Sequence, residues 1–265
     1  MRLQNKTMKV LFIGDIYSKS GREVVRKYLP ELKKQHDVDL VIANGENSAH
    51  GKGMTKKIYD ELMEIGIDAF TMGNHFLKNK EITRWLDSVD NIARPANIDG
   101  VVEGVGSVVV NTCKGNVRVT NLIGRVFIKE FEAMNPFEVL DDIIDDSDEV
   151  IHIVDFHAEA NGEKKSLAYY VDGRVSAVLG THTHVQTADN RVLSKGTAYI
   201  SDVGFCGAYE SVLGIIPADA IAFSKDYNFK SHIPSETEGE LNAVILDIDE
   251  NNGKSNSIER IYIKP

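Results

Sequence analysis

Five short polar clusters in this sequence follow runs of apolar, strand-forming residues, and their side chains are of types that bind metal ions. The clusters are Gly14-Asp15, Gly45-Glu46-Asn47, Gly73-Asn74-His75, His157 and Gly180-Thr181-His182-Thr183-His184. In an open α/β sheet, the carboxyl ends of the strands border one crevice, where ligands bind. We therefore predict that the five clusters converge on a single site.

The mixture of carboxylate, amide and imidazole groups is typical of a two-metal site that hydrolyses phosphoric esters. Two cations about 3.5 to 4 Å apart can generate hydroxide and neutralise the charge on the transferred group. One ligand must bridge such a pair, and we predict that Glu46 does so. Asp15 and the amide oxygen of Asn47 are predicted to complete the ligands of one metal.

The remaining predicted ligands are an amide and three imidazoles. Asn74 is predicted to serve the second metal, and His157 supplies one imidazole. His182 and His184 are expected to divide between the two metals, because alternate residues of an extended segment share a face. Ligation without thiolate favours iron, manganese or zinc, and ligand type does not choose among them.

Taken singly, most of these residues have an ordinary structural interpretation. Asp15 is also typical of a residue that caps a turn, and Asn74 with His75 is typical of a tight turn. His157 alone is typical of a buried core histidine. The Gly51-Lys52-Gly53 segment fits a substrate-binding loop and the ordinary start of a helix equally well. Only the combination favours a metal site.

Composition narrows the class of protein. The 265 residues carry a net charge of -10, which argues against a general nucleic-acid surface, because such surfaces need clustered lysine and arginine. A small anionic substrate would instead rely on positive charge supplied locally by metals. Cys113 and Cys206 form neither a C-x-x-C spacing nor a disulfide framework, so reduced cytoplasm is the expected location.

The chain is predicted to form one α/β domain over residues 8–265, with a loose extension over residues 1–7. No apolar run approaches the roughly 20 residues of a membrane helix. Strands at Lys9–Ile13, Leu40–Ala43 and Asp68–Met72 alternate with helices, the last near Lys80–Leu86, which indicates parallel βαβ units. From about Gly104, an antiparallel hairpin starts a second sheet. A further hairpin closes the chain around Gly253.

The order of these motifs resembles that of the calcineurin-like metallophosphoesterases, with two departures. The usual Asp-x-His is Asp15-Ile16-Tyr17, and Glu46 followed by Asn47 replaces the usual bridging Asp. These departures make the chain similar to the YmdB-like family from Met8 onward. Its motifs are matched by NGENSAHGKG (44–53), TMGNH (71–75), RPAN (94–97), DFHAE (155–159) and GTHTHVQT (180–187).

This resemblance implies a four-layer αββα sandwich of two mixed sheets flanked by helices, holding two irons or similar metals. It implies phosphodiesterase activity on cyclic nucleotides, notably 2',3'-cyclic AMP, by attack of a metal-bridging hydroxide, and it suggests a homo-oligomer. His75 corresponds to the non-ligand histidine that aids the leaving group. By position, the first metal takes Asp15, Glu46, Asn47 and His184, and the second takes Glu46, Asn74, His157 and His182.

Two other functions remain open on the sequence. A phosphomonoesterase would need a pocket closed around a small phosphate, whereas a groove beside Arg94 and the Gly51–Gly53 loop would accommodate the second substituent of a diester. A non-catalytic regulatory module would need the metals only for its fold. His75 argues for the enzyme, because metal retention does not require a non-ligand imidazole there.

Overall fold

The computed structural model describes residues 7–101, 103–226 and 233–265. Its strands are β1 (Thr7–Ile13), β2 (Asp15–Ile16), β3 (Leu40–Asn44), β4 (Ala69–Thr71), β5 (Ile92–Ala93), β6 (Ser107–Thr112), β7 (Gly115–Ile123), β8 (Ile151–His157), β9 (Ala177–Thr181), β10 (Arg191–Val192), β11 (Ala198–Ile200), β12 (Phe205–Ala208), β13 (Gly239–Asp249) and β14 (Ser255–Ile263). Its α-helices are α1 (Ser18–Gln35), α2 (Lys56–Ile65), α3 (Pro136–Asp145), α4 (Asn161–Tyr170) and α5 (Pro217–Asp226).

The first sheet contains the predicted parallel strands, joined by strands from the end of the chain. Its order is β2-β12-β13-β1-β3-β4-β5, with β14 paired to β13. β1, β3, β4 and β5 are mutually parallel, as their alternation with helices predicts. β13 is antiparallel to β1, so the C-terminal hairpin lies inside this sheet. Gly253 has the positive φ (68°) predicted for its turn.

The second sheet has the order β10-β11-β9-β8-β7-β6. β6 and β7 form the predicted antiparallel hairpin, whereas β7, β8, β9 and β11 run parallel. The carboxyl ends of β8 and β9 consequently lie at one edge of this sheet. That edge carries His157 and Thr181 as the last residues of their strands.

Three buried clusters separate four layers, which confirms the αββα architecture. Side chains alternate along β1, so Leu11 belongs to the cluster under α1 and α2, while Phe12 belongs to the cluster between the two sheets. The third cluster lies between the second sheet and helices α3 and α4, and it includes Phe156 and Leu167. Each sheet therefore has helices on one face and the other sheet on the opposite face.

Some predicted boundaries were wrong. The helix expected near Lys80–Leu86 is a pair of short 3₁₀ helices, Lys80–Arg84 and Leu86–Ser88. The side chain of Asn79 caps the first of them by accepting a bond from Glu81 N. Thr7, the last residue of the predicted extension, begins β1, and residues 1–6 lie outside the described residues. Within the described ranges, none of the helices is long and apolar enough to cross a membrane.

His152 is a buried histidine in β8 that makes stability depend on pH. Its Nε2 lies 2.8 Å from Thr120 Oγ1, and burial, aided by the charge of Arg118, lowers its pKa from 6.5 to about 3. Between these values the unfolded chain binds a proton that the folded chain rejects, so stability falls as the pH falls below 6.5. At about 1.4 kcal/mol per pH unit, the loss from this residue is about 2 kcal/mol at pH 5.

We expect His152→Gln to remove that dependence. Urea unfolding of the wild type and the variant between pH 7.5 and pH 5 should give stability curves that converge as the solution is acidified. The difference isolates His152 from the other titrating groups. Curves that stay parallel over this range would contradict the assignment.

Candidate metal centre

The structure brings together all the residues predicted for the site, at one end of the two sheets. Asp15 follows β1, Glu46 follows β3 and Asn74 follows β4, all in the first sheet. His157 ends β8 and His182 follows β9 in the second sheet. The prediction that the strand ends converge is therefore confirmed by the geometry, although the site lies across both sheets rather than in one.

The first group of side chains surrounds the amide of Asn47. Asn47 Nδ2 lies 3.4 Å from Asp15 Oδ1, 3.1 Å from Glu46 Oε1 and 3.2 Å from His184 Nε2. His184 Nε2 is 3.8 Å from Asp15 Oδ1. Asp15, Glu46 and Asn47 are buried, so this group is shielded from solvent.

The second group surrounds the ring of His157. Its Nε2 lies 3.2 Å from Glu46 Oε1, 2.9 Å from Asn74 Oδ1 and 3.1 Å from His182 Nδ1. Glu46 Oε1 thus contacts both groups, which is the position that a bridging ligand requires. Gly73 permits this crowding, because a Cβ there would lie 2.4 Å from both Glu46 Oε2 and His157 Nε2.

A hydrogen-bond relay determines which nitrogen of His157 carries hydrogen. Thr181 Oγ1 donates to Asp155 Oδ1 at 2.7 Å and lies 2.8 Å from His157 Nδ1. Since the hydroxyl has given its only hydrogen to the carboxylate, it must accept one from His157 Nδ1. In the neutral ring, the lone pair of Nε2 therefore faces Glu46 and Asn74.

The other two imidazoles are oriented by acceptors of the same kind. His182 Nε2 lies 3.2 Å from the Glu159 carboxylate, so its Nδ1 presents a lone pair to the second group. His184 Nδ1 donates to Leu213 O at 3.2 Å, so its Nε2 presents a lone pair to the first group. Partners that fix the tautomer in this way are characteristic of histidines that bind metals.

These contacts show that the residues fit metal ions. With neutral rings, Glu46, Asn74 and the two imidazoles of the second group would turn only hydrogen-bond acceptors toward one another, so the group needs either a proton on His157 or a metal cation. Carboxylate oxygens of Asp15 and Glu46 and a nitrogen of His157 all lie within 4.8 Å of one another. Oxygen and imidazole donors together suit iron, manganese and zinc.

The pKa values of Asp15 and His157 also indicate that a positive charge is favoured beside Glu46. Burial raises the pKa of Asp15 well above its ordinary value, and nearby Glu46 raises it further. Burial alone would lower the pKa of His157, but the Glu46 carboxylate overrides it and raises the value to about 9. Burial and nearby His157, in contrast, lower the pKa of His182 to about 3, so this ring stays neutral. A positive charge near Glu46 is thus strongly favoured.

Two details differ from the sequence prediction. His182 and His184 do not lie in an extended segment, because their φ angles are 103° and 63°. The turn, rather than the alternation of a strand, directs the two rings to different groups. In addition, Asn47 turns its amide nitrogen toward Asp15 and Glu46, because the NH₂ group donates to these carboxylates. Oxygen ligation requires a half-turn of that amide.

His75 lies beside the two groups. Its Nδ1 is 2.7 Å from Asn47 Oδ1, and its backbone N–H donates to Glu46 Oε2 at 2.8 Å. Its side chain is 26% exposed, so the ring reaches the cavity above the site. Burial lowers its pKa from the ordinary value.

A cavity of about 400 Å³ opens above both groups. Lys52 and Tyr17 line part of it, and Leu213 and Ile215 give it an apolar side. Of the two segments considered for a diester groove, the Gly51–Gly53 loop borders this cavity through Gly51 and Lys52, whereas Arg94 is not among the lining residues. The Arg94 guanidinium is buried and donates to the carbonyl oxygens of Pro95, Val101 and Glu103, where it holds the loop after β5.

Sequence reasoning missed the residues that support the ligands. Asp155 lies two residues before His157, and Thr181 immediately precedes His182. This closeness in sequence could have identified both as residues that support the ligands. Lys164 lies about five residues after the DFHAE motif and Asp202 about fifteen residues after the GTHTHVQT motif, but a lysine in a helix carries no local sign of being buried. Tyr17 was noticed only as a departure, yet its ring lies edge-on to His184, with centroids 5.7 Å apart.

The four-layer fold and this donor set define the class of protein as a metallophosphoesterase-type hydrolase of phosphoric esters. A model of the YmdB-like protein family matches residues 11–261, and the chain belongs to that family. A 2',3'-cyclic-nucleotide 2'-phosphodiesterase of Bacillus subtilis (strain 168) is 44% identical over 263 residues, which cover 97% of each chain.

Solved structures agree with this assignment. A crystal structure described as a novel phosphatase from Mycoplasma pneumoniae has a TM-score of 0.94 and 38% identity, covering 98% of this chain and 94% of that chain. A hypothetical protein from Thermus thermophilus has a TM-score of 0.91 and 35% identity, covering 97% of this chain and 100% of that chain.

Proposed function

We propose that this protein is a two-metal phosphodiesterase that hydrolyses cyclic nucleotides of the 2',3'-cyclic type. The observation that carries the proposal is the pair of ligand groups that share Glu46 and open onto one cavity. The name of the Bacillus subtilis relative supports the substrate class. Because the ligands come from both sheets, we also propose that residues 8–265 act as a single domain.

The two groups correspond to two metal positions, for which we propose iron, with manganese or zinc as alternatives. When bound, the ions would supply a hydroxide nucleophile and neutralise charge on the phosphate. The proposed ligands are Asp15, Glu46, Asn47 and His184 for the first ion, and Glu46, Asn74, His157 and His182 for the second.

His75 is proposed to donate a proton to the leaving oxygen. Proton donation requires the imidazolium form of His75, whose Nδ1–H donates to the oxygen 2.7 Å away, Asn47 Oδ1. The second N–H of the ring, on Nε2, is then available to the cavity that His75 lines. Transfer of the Nε2 proton to the leaving oxygen leaves the neutral ring.

The cavity walls suit a nucleotide. Lys52 is the only lysine or arginine among the described residues that line the cavity, and its charge favours the anionic phosphate. Leu213 and Ile215 offer an apolar surface for the nucleoside. The volume of about 400 Å³ lies within the roughly 300 to 1,000 Å³ typical of small-molecule sites and leaves space beyond a phosphate group.

Hydrolysis of a diester and a monoester by the same metal-loaded protein tests the proposal. We expect kcat/KM for bis-p-nitrophenyl phosphate to exceed that for p-nitrophenyl phosphate by at least about tenfold, because the cavity accepts a second substituent. 2',3'-cyclic AMP should be opened to a monophosphate. A reversed preference would indicate a phosphomonoesterase. Absence of turnover with two metals bound would indicate a regulatory module.

A further inference from the structure

The turn that carries His182 and His184 is held in a conformation that its residues do not favour. Both histidines have positive φ, which costs free energy for a residue with a side chain. Such conformations persist only where surrounding contacts impose them. Thr183 lies between the two histidines, and its backbone N–H is therefore the natural place for such a contact.

Asp202 supplies that contact. Its Oδ2 accepts from Thr183 N at 2.9 Å, and its Oδ1 accepts from Gly204 N at 2.8 Å. Its own backbone exchanges two bonds with Thr187, each 3.0 Å long. Asp202 consequently fastens both ends of the segment from Thr183 to Thr187.

Lys164 neutralises Asp202 from the opposite side. Its Nζ lies 2.9 Å from Asp202 Oδ2, and both side chains are 0% exposed. Lys164 belongs to α4, whereas Asp202 follows β11, so the ion pair joins the helix layer to the ligand turn. Burying two charges is costly, and such a pair is weak evidence for stability. Its position directly beneath the turn indicates another role.

We propose that Lys164 and Asp202 are positioning residues of the metal centre. Lys164 holds the Asp202 carboxylate in place, and Asp202 holds Thr183 N–H so that the two imidazoles face different metal positions. The inference rests on the ligand set proposed above. Loss of the pair should weaken metal binding by about 10- to 100-fold, as is typical for residues that orient metal ligands.

Mn²⁺ titration of the metal-stripped full chain by isothermal calorimetry tests this role, with Tm measured in the same buffer without Mn²⁺. The variants are Lys164→Met and the uncharged double variant Lys164→Met/Asp202→Asn. Arg118→Met is the matched control, because Arg118 pairs with Glu149 at 2.8 Å near the opposite ends of the strands.

We expect Lys164→Met to bind Mn²⁺ at least about tenfold more weakly than the wild type. The double variant, which buries no unpaired charge, should recover most of the Tm but not the affinity. Arg118→Met should lower the Tm and leave the affinity unchanged. If Lys164→Met does not fold, the double variant carries the comparison.

Wild-type affinity in the folded variants, or affinity that follows Tm across the set, would overturn the positioning role. Asp15→Ala separates this result from the proposed function. If Asp15→Ala loses Mn²⁺ while the Lys164 variants keep it, the ligand set is supported and the positioning role alone fails. A wild type that binds no Mn²⁺ would overturn both.

Discussion

Glu46→Gln should abolish most of the activity and remove metal from both positions. Glu46 Oε1 lies 3.1 Å from Asn47 Nδ2 and 3.2 Å from His157 Nε2, so one substitution removes a negative ligand from both groups. Metals stabilise the charge of the transition state by several kcal/mol. With a loss of about 4 kcal/mol, and about 1.36 kcal/mol per tenfold change, kcat/KM should fall by about 10³.

The measurement is metal content by mass spectrometry together with kcat/KM for the diester. Glu159→Gln is the matched control, because Glu159 is a carboxylate at the same cavity that contacts the outer nitrogen of His182 rather than the atoms shared by the two groups. That control should weaken metal binding by about 10- to 100-fold and retain turnover at saturating metal. Full metal content with wild-type turnover in Glu46→Gln would contradict the bridging role.

His75→Ala should slow the hydrolysis of substrates with strongly basic leaving groups much more than that of substrates with weakly basic leaving groups. Proton donation by a positioned side chain contributes about 10²- to 10⁴-fold. The ribose oxygen of 2',3'-cyclic AMP is a strong base and needs that proton, so kcat for this substrate should fall by that factor. Because p-nitrophenolate is a weak base, hydrolysis of bis-p-nitrophenyl phosphate should change by less than about tenfold.

Metal content at saturating metal should stay at the wild-type level in His75→Ala, because the backbone N–H of residue 75 still donates to Glu46 Oε2 and the ring contacts ligands without being one. Asn74→Ala, at the neighbouring residue, is the comparison variant. It removes a proposed ligand that lies 2.9 Å from His157, so metal and both activities should fall together. Equal losses on both substrates in His75→Ala would refute the proton-donor role.

The sequence predicted well wherever the signal is local. The strand-forming run at Lys9–Ile13 and the Gly at the turn of the last hairpin are properties of neighbouring residues, and both predictions were confirmed. The chemistry of Glu46 and of the His182-x-His184 pair was also readable, because side-chain type alone limits what each can bind. The prediction that the five clusters converge followed from the rule that ligands bind at the carboxyl ends of the strands in an open α/β sheet.

The sequence did not predict which strands far apart along the chain pair with each other. β13 lies between β12 and β1, although more than 200 residues separate β13 from β1 along the chain. Many partners are compatible with one apolar strand, and only burial of the complete sheet selects among them. The 3₁₀ helices after Asn79 are a similar case, because local capping and packing decide between helix types.

The role of charged residues depended most on the fold. A groove for the second substituent of a diester was considered beside Arg94, but three backbone carbonyls bind its guanidinium. Lys164 gave no sign in sequence of its buried partner Asp202. A long cationic side chain reaches several ångströms from its backbone, and which acceptor it meets is determined by elements brought close only in the folded chain.

The sequence by itself therefore determined the donor types, their order along the chain and the strands that carry them. Tertiary structure decided how those donors are oriented. The positive φ angles of His182 and His184 and the tautomer of His157 come from contacts with Asp202 and Thr181. The physical reason is that side-chain chemistry is a property of each residue, whereas direction and protonation depend on neighbours that only folding supplies.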